Sequence, residues 1–423
     1  MNLRPHQIEK SNELLNVLTK LGCAYLKGEV RSGKTLTVLE TANLYGAKKV
    51  LFVTKKKAIG SIQKDYDNFN YQYPMTIINY ESVHKIKFND YDLIIYDESH
   101  VNSGFPKPSK RTKLLRERYY NVPCIMLSGT PAAESYSQFF HQFHVTTFSP
   151  FNQYKNFYQW SKIFVNVTEK RIGTHTVRDY TKAKESDIEK IIAPYCVTMT
   201  QADAGIETII TEHILKVETP KQIQETVKRL IKDRAIEGDN GYIMAETPAK
   251  LQSKVHQIYN GSVIYETNEG ESRTHIFSTY KADFIKERFK GRKIAIMYYY
   301  QGELEILKKV FKDGITTDLN DFNNSNKNFA IQQSSTEGMN ISAAHCLVYY
   351  NFHFSGKNYI QSRDRLTIKE RLKNDVYFII ETPGINERIL NRVRDKKDFN
   401  ISCFRSEFLN NETANKAYKI LER

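Results

Sequence analysis

Short apolar runs recur through the first third of the chain, at Cys23–Leu26, Val50–Val53, Met75–Ile78, Leu93–Tyr96 and Cys124–Leu127. Helix-patterned stretches such as Pro5–Leu18 and Lys34–Leu44 fall between them. Alternation of this kind predicts a parallel sheet covered by helices. From about Ser135 to Gln257 the pattern changes: residues are polar, basic and aromatic, with no clear strand–helix alternation. Lys221–Asp233 reads as an amphipathic helix and Gly238-Asp239-Asn240-Gly241 as a turn. This middle part is expected to be a helical insertion followed by a linker into a second domain.

Alternation then returns, with apolar runs at His275–Phe277, Ile294–Tyr300, Phe329–Ile331, Cys346–Tyr350 and Val376–Ile380, separated by amphipathic stretches such as Lys281–Phe289 and Glu303–Phe311. These predict a second α/β unit of similar size. Asn320–Asn328 is Asn-rich and reads as a loop. The 423 residues suit two domains, and the two similar halves argue for a duplicated architecture rather than a solenoid.

Charge adds a partner to this picture. The net charge of +14 is spread along the chain rather than held in one arm, and a basic excess of that size points to nucleic acid. The 27 Tyr and 23 Phe offer surfaces that can stack on bases, although such residues are equally common in cores. Cys23, Cys124, Cys196, Cys346 and Cys403 form no Cys-x-x-Cys pair, and Cys23, Cys124 and Cys346 read as core thiols in a reducing compartment. His141 and His144 lack the further ligands a metal site would need. The start has no apolar leader pattern and no run approaches the ~18 apolar residues of a membrane span. The expectation is a soluble, cytoplasmic protein without a membrane partner.

Two segments carry chemistry. Gly28-Glu29-Val30-Arg31-Ser32-Gly33-Lys34-Thr35 fits the phosphate-loop pattern in full, between an apolar strand and a helix. Its glycines let backbone N–H groups turn toward phosphate oxygens, Lys34 reaches the β- and γ-phosphates, and the Thr35 hydroxyl can ligate Mg²⁺. Gly28, Arg31, Ser32, Gly33, Lys34 and Thr35 are therefore the candidate ATP-binding residues. Tyr91–His100 is an apolar strand ending in Asp97-Glu98-Ser99-His100. At the carboxyl end of a parallel strand, Asp97 is placed to hold Mg²⁺ and Glu98 to orient or deprotonate the attacking water.

With these two motifs the sequence resembles superfamily-two helicases and translocases of the DEAD/DEAH-like kind. Several further segments resemble family motifs in the same order. Leu3-Arg4-Pro5-His6-Gln7 is similar to the element whose glutamine contacts adenine, which makes Gln7 the candidate. Leu51–Lys55 resembles the first nucleic-acid-contacting motif, Ile78–Ser82 the family's T-x-Y-E segment, and Ser128-Gly129-Thr130-Pro131 the motif that couples hydrolysis to strand contact. Ile276–Tyr280 resembles the opening strand of the second motor domain. Ser335–Ile341, with Gly338 as a nucleotide-side candidate, resembles the motif written E-G-[LIM]-[ND]-[LI], and Tyr359–Leu366 the arginine-finger motif. In that last segment Arg365 fills the first arginine position, but Ile368 stands at the second, with Arg363 and Lys369 as the residues that could assist.

The resemblance implies an α/β fold of two RecA-like phosphate-loop domains in tandem with a mainly helical insertion at about 135–200. Residues 1–215 would form the ATP-binding domain and 216–423 the C-terminal one. It implies an ATP- and Mg²⁺-dependent DNA helicase or double-stranded-DNA translocase, with Lys34, Glu98 and Arg365 catalytic and Thr35 and Asp97 on the metal. Lys55, Ser82, Thr130 and Ser335 would touch the strand. Arg4–Gln7, Tyr80-Glu81 and the insertion favour the Swi/Snf-like branch, and the compact length is similar to small phage-encoded members, which would work in the host cytoplasm. Duplex or branched DNA is the favoured partner, with replication or recombination proteins beside it. An RNA helicase and a nucleic-acid-binding module with a weakened motor remain the alternatives.

Overall fold

The computed structural model describes residues 2–86, 90–132, 134–172, 175–206, 209–333, 341–363, 373–395 and 398–409. It divides into two compact units, Met1–Glu207 and Thr208–Arg423.

The first unit begins with α1 (Pro5–Leu21), β1 (Cys23–Gly28), α2 (Lys34–Tyr45), β2 (Val50–Thr54), α3 (Ile59–Asn68), β3 (Met75–Asn79) and β4 (Leu93–Tyr96). It continues through α4 (Lys110–Tyr119), β5 (Cys124–Ser128), α5 (Phe139–Phe143), α6 (Phe157–Phe164), β6 (Thr168–Ile172), β7 (His175–Asp179), α7 (Glu185–Ile192) and β8 (Cys196–Met199). Six strands form one parallel sheet in the order β3-β2-β4-β5-β1-β8. Every residue of β2, β4 and β5 is buried, so these strands read as unbroken apolar runs. The pleat sends alternate side chains to opposite faces. Ala24, Leu26, Phe52 and Ile95 meet Leu14, Leu18, Val38, Leu39 and Ile62 of α1–α3 on one face. Tyr25, Leu51, Val53 and Ile94 meet Leu115, Phe140, Trp160 and Ile188 of α4–α7 on the other.

The insertion is therefore not simply helical. Residues 135–200 hold three short helices, but also the antiparallel hairpin β6–β7 and the strand β8, which joins the main sheet beside β1. Much of the aromatic content of this region is core: Phe139, Phe140, Phe143, Phe151, Phe157, Trp160 and Phe164 pack under one sheet face.

The second unit starts with β9 (Ile209–Glu218), α8 (Lys221–Asp233), β10 (Ala235–Gly238), β11 (Gly241–Met244), α9 (Pro248–Tyr259), β12 (Ser262–Thr267) and β13 (Ser272–Ile276). There follow α10 (Tyr280–Arg288), β14 (Ile294–Tyr298), α11 (Gln301–Phe311), β15 (Ile315–Thr316), α12 (Leu319–Asn324), β16 (Asn328–Gln332), β17 (Cys346–Tyr349), α13 (Gly356–Arg363), β18 (Lys373–Thr382) and α14 (Asn386–Arg394). A second six-stranded parallel sheet has the order β15-β16-β14-β17-β18-β9. A separate antiparallel sheet has the order β10-β11-β12-β13.

Three expectations change here. The polar stretch expected to be a linker contains β9, paired over ten residues with β18, so the second unit opens before residue 216. Ile276–Tyr280 does not open the parallel sheet: β13 ends at Ile276 in the antiparallel hairpin with β12, and Tyr280 starts α10. The central parallel strand that leads into a helix is instead β14, whose five residues are all buried. Finally, Asn320–Asn328 is not all loop. The Asp318 carboxylate accepts the Asp321 N–H at 2.7 Å, and the fully buried Phe322 anchors α12 against Phe329.

Cys23, Cys124, Cys346 and Cys403 are buried free thiols and Cys196 is partly buried. Among the described residues no helix is long and apolar enough to cross a membrane.

Candidate nucleotide-binding and hydrolysis site

β1 runs straight into the loop Glu29–Gly33, and α2 starts at Lys34. Arg31 (φ 65°) and Gly33 (φ 99°) take left-handed backbone conformations, the kind of turn that gathers N–H groups into an anion cradle. The φ of Gly33 favours glycine, and a Cβ there would lie 2.5 Å from Gln7 Nε2; one on Gly28 would lie 2.5 Å from Lys34 Cδ, so a side chain at Gly28 would have to displace the lysine stem. Inside the loop the Glu29 carbonyl accepts from Ser32 Oγ (2.9 Å) and Lys34 Nζ (2.7 Å). Thr35 sits, partly exposed, in the first turn of α2.

The loop is braced from two sides. From α1, His6 Nε2 donates to the Ser32 carbonyl (3.0 Å) and Gln7 Nε2 to the Gly33 carbonyl (3.3 Å). Gln7 Oε1 accepts the Arg4 N–H at 2.9 Å, and the residue is only 3 % exposed. Its amide is thus engaged with the loop and with the start of its own helix. From the turn after β8, the Gln201 N–H donates to Glu29 Oε2 (2.7 Å) and Gln201 Nε2 to the Val30 carbonyl (3.0 Å). No sequence pattern singled out Gln201, because its partners lie 171 or more residues away.

At the carboxyl end of β4, Asp97 Oδ2 accepts the Thr54 hydroxyl at 2.6 Å and Oδ1 accepts the Glu98 N–H at 3.0 Å. The Asp97 carbonyl accepts the Tyr80 hydroxyl at 2.7 Å. Thr54 and Tyr80 belong to segments whose resemblance pointed to strand contacts; both brace the carboxylate turn. Burial, reinforced by the neighbouring Glu98, pushes the Asp97 carboxyl up to about 6, against the pull of Thr54 and Lys34. Glu98 has φ 49°, a left-handed conformation that costs a β-carbon residue energy and is characteristic of functional turns. Burial opposes its ionisation too. The adjoining His100, with Lys55 and Lys34, outweighs that and holds its carboxyl below the ordinary range. His100 Nδ1 stands 3.0 Å from Glu98 Oε2.

The same Nδ1 lies 2.8 Å from Ser128 Oγ, which also accepts the Thr130 N–H at 3.1 Å. Ser128–Pro131 is thereby tied to the Asp-Glu-Ser-His segment. It also borders the phosphate loop: a Cβ on Gly129 would sit 3.4 Å from the Gly28 carbonyl and 3.7 Å from Lys34 Nζ. A second buried link runs parallel to it. The Tyr25 hydroxyl lies 2.7 Å from Ser99 Oγ and donates to Gln142 Oε1 at 2.7 Å, while Gln142 Nε2 donates to the Pro131 carbonyl at 2.6 Å. Tyr25 and Gln142 carried no sequence signal, since a Tyr in a strand and a Gln in an aromatic helix both read as packing.

Among the described residues no group of three His, Cys, Asp or Glu side chains gathers as a metal site. His141 and His144 instead donate Nε2–H to the carbonyls of Pro106 and Tyr154. Gly338, Ser335, Arg365, Ile368 and Lys369 lie outside the described residues. Arg363 is described, and its guanidinium stands 3.6 Å from Glu212, which also pairs with Arg394 at 2.7 Å. No family model matches the chain, and no curated protein matches it.

Proposed function

We propose that this chain is an ATP-dependent DNA motor of the superfamily-two kind, a helicase or a duplex-DNA translocase built on two RecA-like domains. One observation carries the proposal: a phosphate loop with its lysine, a hydroxyl-bearing turn and a carboxylate pair converge at the carboxyl ends of β1, β5 and β4, which are neighbours in that order. The carboxyl ends of parallel strands are where open α/β sheets bind ligands. β1 and β4 stand two strand spacings apart, about 10 Å. That gap suits a terminal phosphate with its attacking water, and Gly129 borders it.

The residues fit a magnesium ion delivered with the nucleotide. Asp97 and Glu98 are two adjacent, half-buried carboxylates at the end of β4, within reach of the Lys34 charge. A site with one or two carboxylates and no closed cage is how proteins bind Mg²⁺ alongside phosphates. Asp97 and the Thr35 hydroxyl would hold it, and the ion would neutralise charge on the β- and γ-phosphates. Lys34 and the loop N–H groups bind the phosphates. Glu98, kept ionised by His100, orients the water and takes its proton. Ser128 and Thr130 report the change to the rest of the unit through His100. Arg365 is the proposed arginine finger. The net charge of +14 supports a polyanionic partner.

Glu98→Gln should leave nucleotide binding intact and slow single-turnover hydrolysis about 10²-fold or more. Near-normal turnover would remove Glu98 from the chemistry. Stimulation of the ATPase by single-stranded, duplex and branched DNA and by RNA, run side by side, tests the partner. Best stimulation by RNA would make the chain an RNA motor, and no hydrolysis under any condition would leave only a binding module.

A further inference from the structure

A cationic pocket stands on the first unit, built from elements other than the phosphate loop. A pocket of about 200 Å³ is lined by Pro108, Thr112, Lys113 and Arg116 of the α4 region, His141 and His144 of the α5 region, and Lys155 and Asn156 before α6. Three features make it anionophilic. Its charged lining is wholly cationic: Lys113, Arg116 and Lys155. Among the described residues none of these forms an ion pair with a carboxylate, nor do Lys107 and Lys110, which continue the row at the start of α4. Glu117 is the only acid on that helix.

Arg116 is held in an unusual way. Its guanidinium donates to His144 Nδ1 at 2.9 Å and lies over the Tyr120 ring at 4.9 Å. One N–H faces a neutral ring nitrogen, and an arginine has five such donors to give. Burial, with Arg116 adding to it, pushes both imidazoles down to about 4, so they contribute no charge near neutrality. Finally, two helix N-termini border the pocket. Ser109 caps α4 by accepting the Thr112 N–H, and Asn156 caps α6 by accepting the Gln159 N–H at 3.1 Å. Both helices begin at its edge.

We propose that this pocket takes a backbone phosphate of the bound nucleic acid and signals its presence to the hydrolysis site through α5. The proposal rests on the motor function argued above. A phosphodiester is favoured over a free ion because the cavity is larger than one phosphate and the cations run on beyond it along α4. The route inward is short. His141 and His144 line the pocket, and Gln142 between them carries the buried link to Ser99, Tyr25 and the Pro131 carbonyl. At the other wall, Thr112 Oγ1 donates to Asn102 Oδ1 (3.1 Å), at the end of the turn that begins with Ser99.

The test is oligonucleotide binding by fluorescence anisotropy from about 50 to 200 mM salt, with ATPase stimulation measured on the same samples. Lys113→Gln/Lys155→Gln alters two exposed side chains and should leave the thermal melt in place. It should weaken binding about tenfold, flatten the slope of log K against log salt by about 1 to 2, and lower the ratio of stimulated to unstimulated ATPase. Arg116→Gln should do the same, and Arg116→Lys should restore part of the slope. Lys308→Gln/Lys309→Gln, an equal charge change on the exposed face of α11, serves as the control. An unchanged slope in the pocket variants, or an equal loss in the control, overturns the pocket while wild-type binding stands. Lys113-dependent displacement of the oligonucleotide by inorganic phosphate at constant ionic strength would support the shared pocket, whereas phosphate that binds there without displacing the oligonucleotide would assign the pocket to a free ion and overturn the proposal. A wild-type chain that binds no nucleic acid would overturn the motor function along with the pocket.

Discussion

Lys34→Ala should abolish measurable ATP hydrolysis while leaving the fold of the first unit unchanged. Lys34 is the cation of the proposed phosphate loop. Its ammonium rests on the Glu29 carbonyl at 2.7 Å, close to Gly129, and its charge is felt at both Asp97 and Glu98. Removing a preorganised electrostatic group aimed at developing charge typically costs about 10²–10³ in rate. Here the loss should be larger, because the proposed function gives the same group a part in binding the substrate's phosphates. Alanine is a good helix former at the start of α2, and Lys34 is only partly buried, so stability should change by less than about 0.5 kcal/mol. Steady-state phosphate release and a thermal melt on the same preparation check both halves. A retained rate with a normal melt would show that Gly28–Thr35 is a structural turn. A lost rate with a lowered melt would leave the assignment to Glu98→Gln.

Much of the strand framework around this candidate site is legible in the sequence, for a physical reason. A parallel strand buried on both faces must be apolar throughout, so β1, β2, β4 and β5 announce themselves as runs. The chemistry of the site sits at their ends, where the pattern breaks into glycines and carboxylates. Strands that lack two dry faces gave no such signal. β9 pairs on one side only and alternates between half-buried and exposed residues, so it resembled a polar linker. β13 lies at the edge of a small antiparallel sheet, yet its short apolar end, His275–Phe277, imitated a buried parallel strand.

Long-range side-chain bonds were invisible for a different reason. Gln142 reaches Tyr25 across 117 residues and Gln201 reaches Val30 across 171. No local spacing can encode such partners. The aromatic middle was ambiguous in principle, because Phe140 or Trp160 on a base and the same residue in a core look alike in sequence. Their complete burial resolves it: they pack into the core under the sheet face lined by Tyr25, Ile94 and Tyr96, and are closed to any base.

The second unit holds a charge pair whose loss should be as severe for stability as Lys34 is for activity. Lys281 and Glu381 are both fully buried, 2.7 Å apart. Lys281 Nζ also donates to Asn260 Oδ1 at 2.6 Å, and Glu381 Oε1 accepts the N–H groups of Ile385 and Asn386, each at 2.9 Å, at the start of α14. Asn386 Nδ2 closes the network by donating to Asn260 Oδ1 at 3.1 Å. The cluster thus joins α9, α10, β18 and α14 through polar contacts that apolar packing cannot replace one at a time. Lys281→Met keeps the volume of the stem but leaves the Glu381 carboxylate without its counter-charge in a dry interior. Breaking a buried pair from one side costs about 3–5 kcal/mol, a large part of the roughly 5–15 kcal/mol that holds a domain together. Hydrogen exchange on the full chain should show protection falling in β14, β17 and β18, with β1, β4 and β5 unaffected. Lys281→Met/Glu381→Gln should recover part of the loss, since an amide oxygen can still cap α14 and no bare charge remains. Equal protection in Lys281→Met and wild type would mean that water or a rearranged partner neutralises Glu381, and that the pair does not hold these elements together.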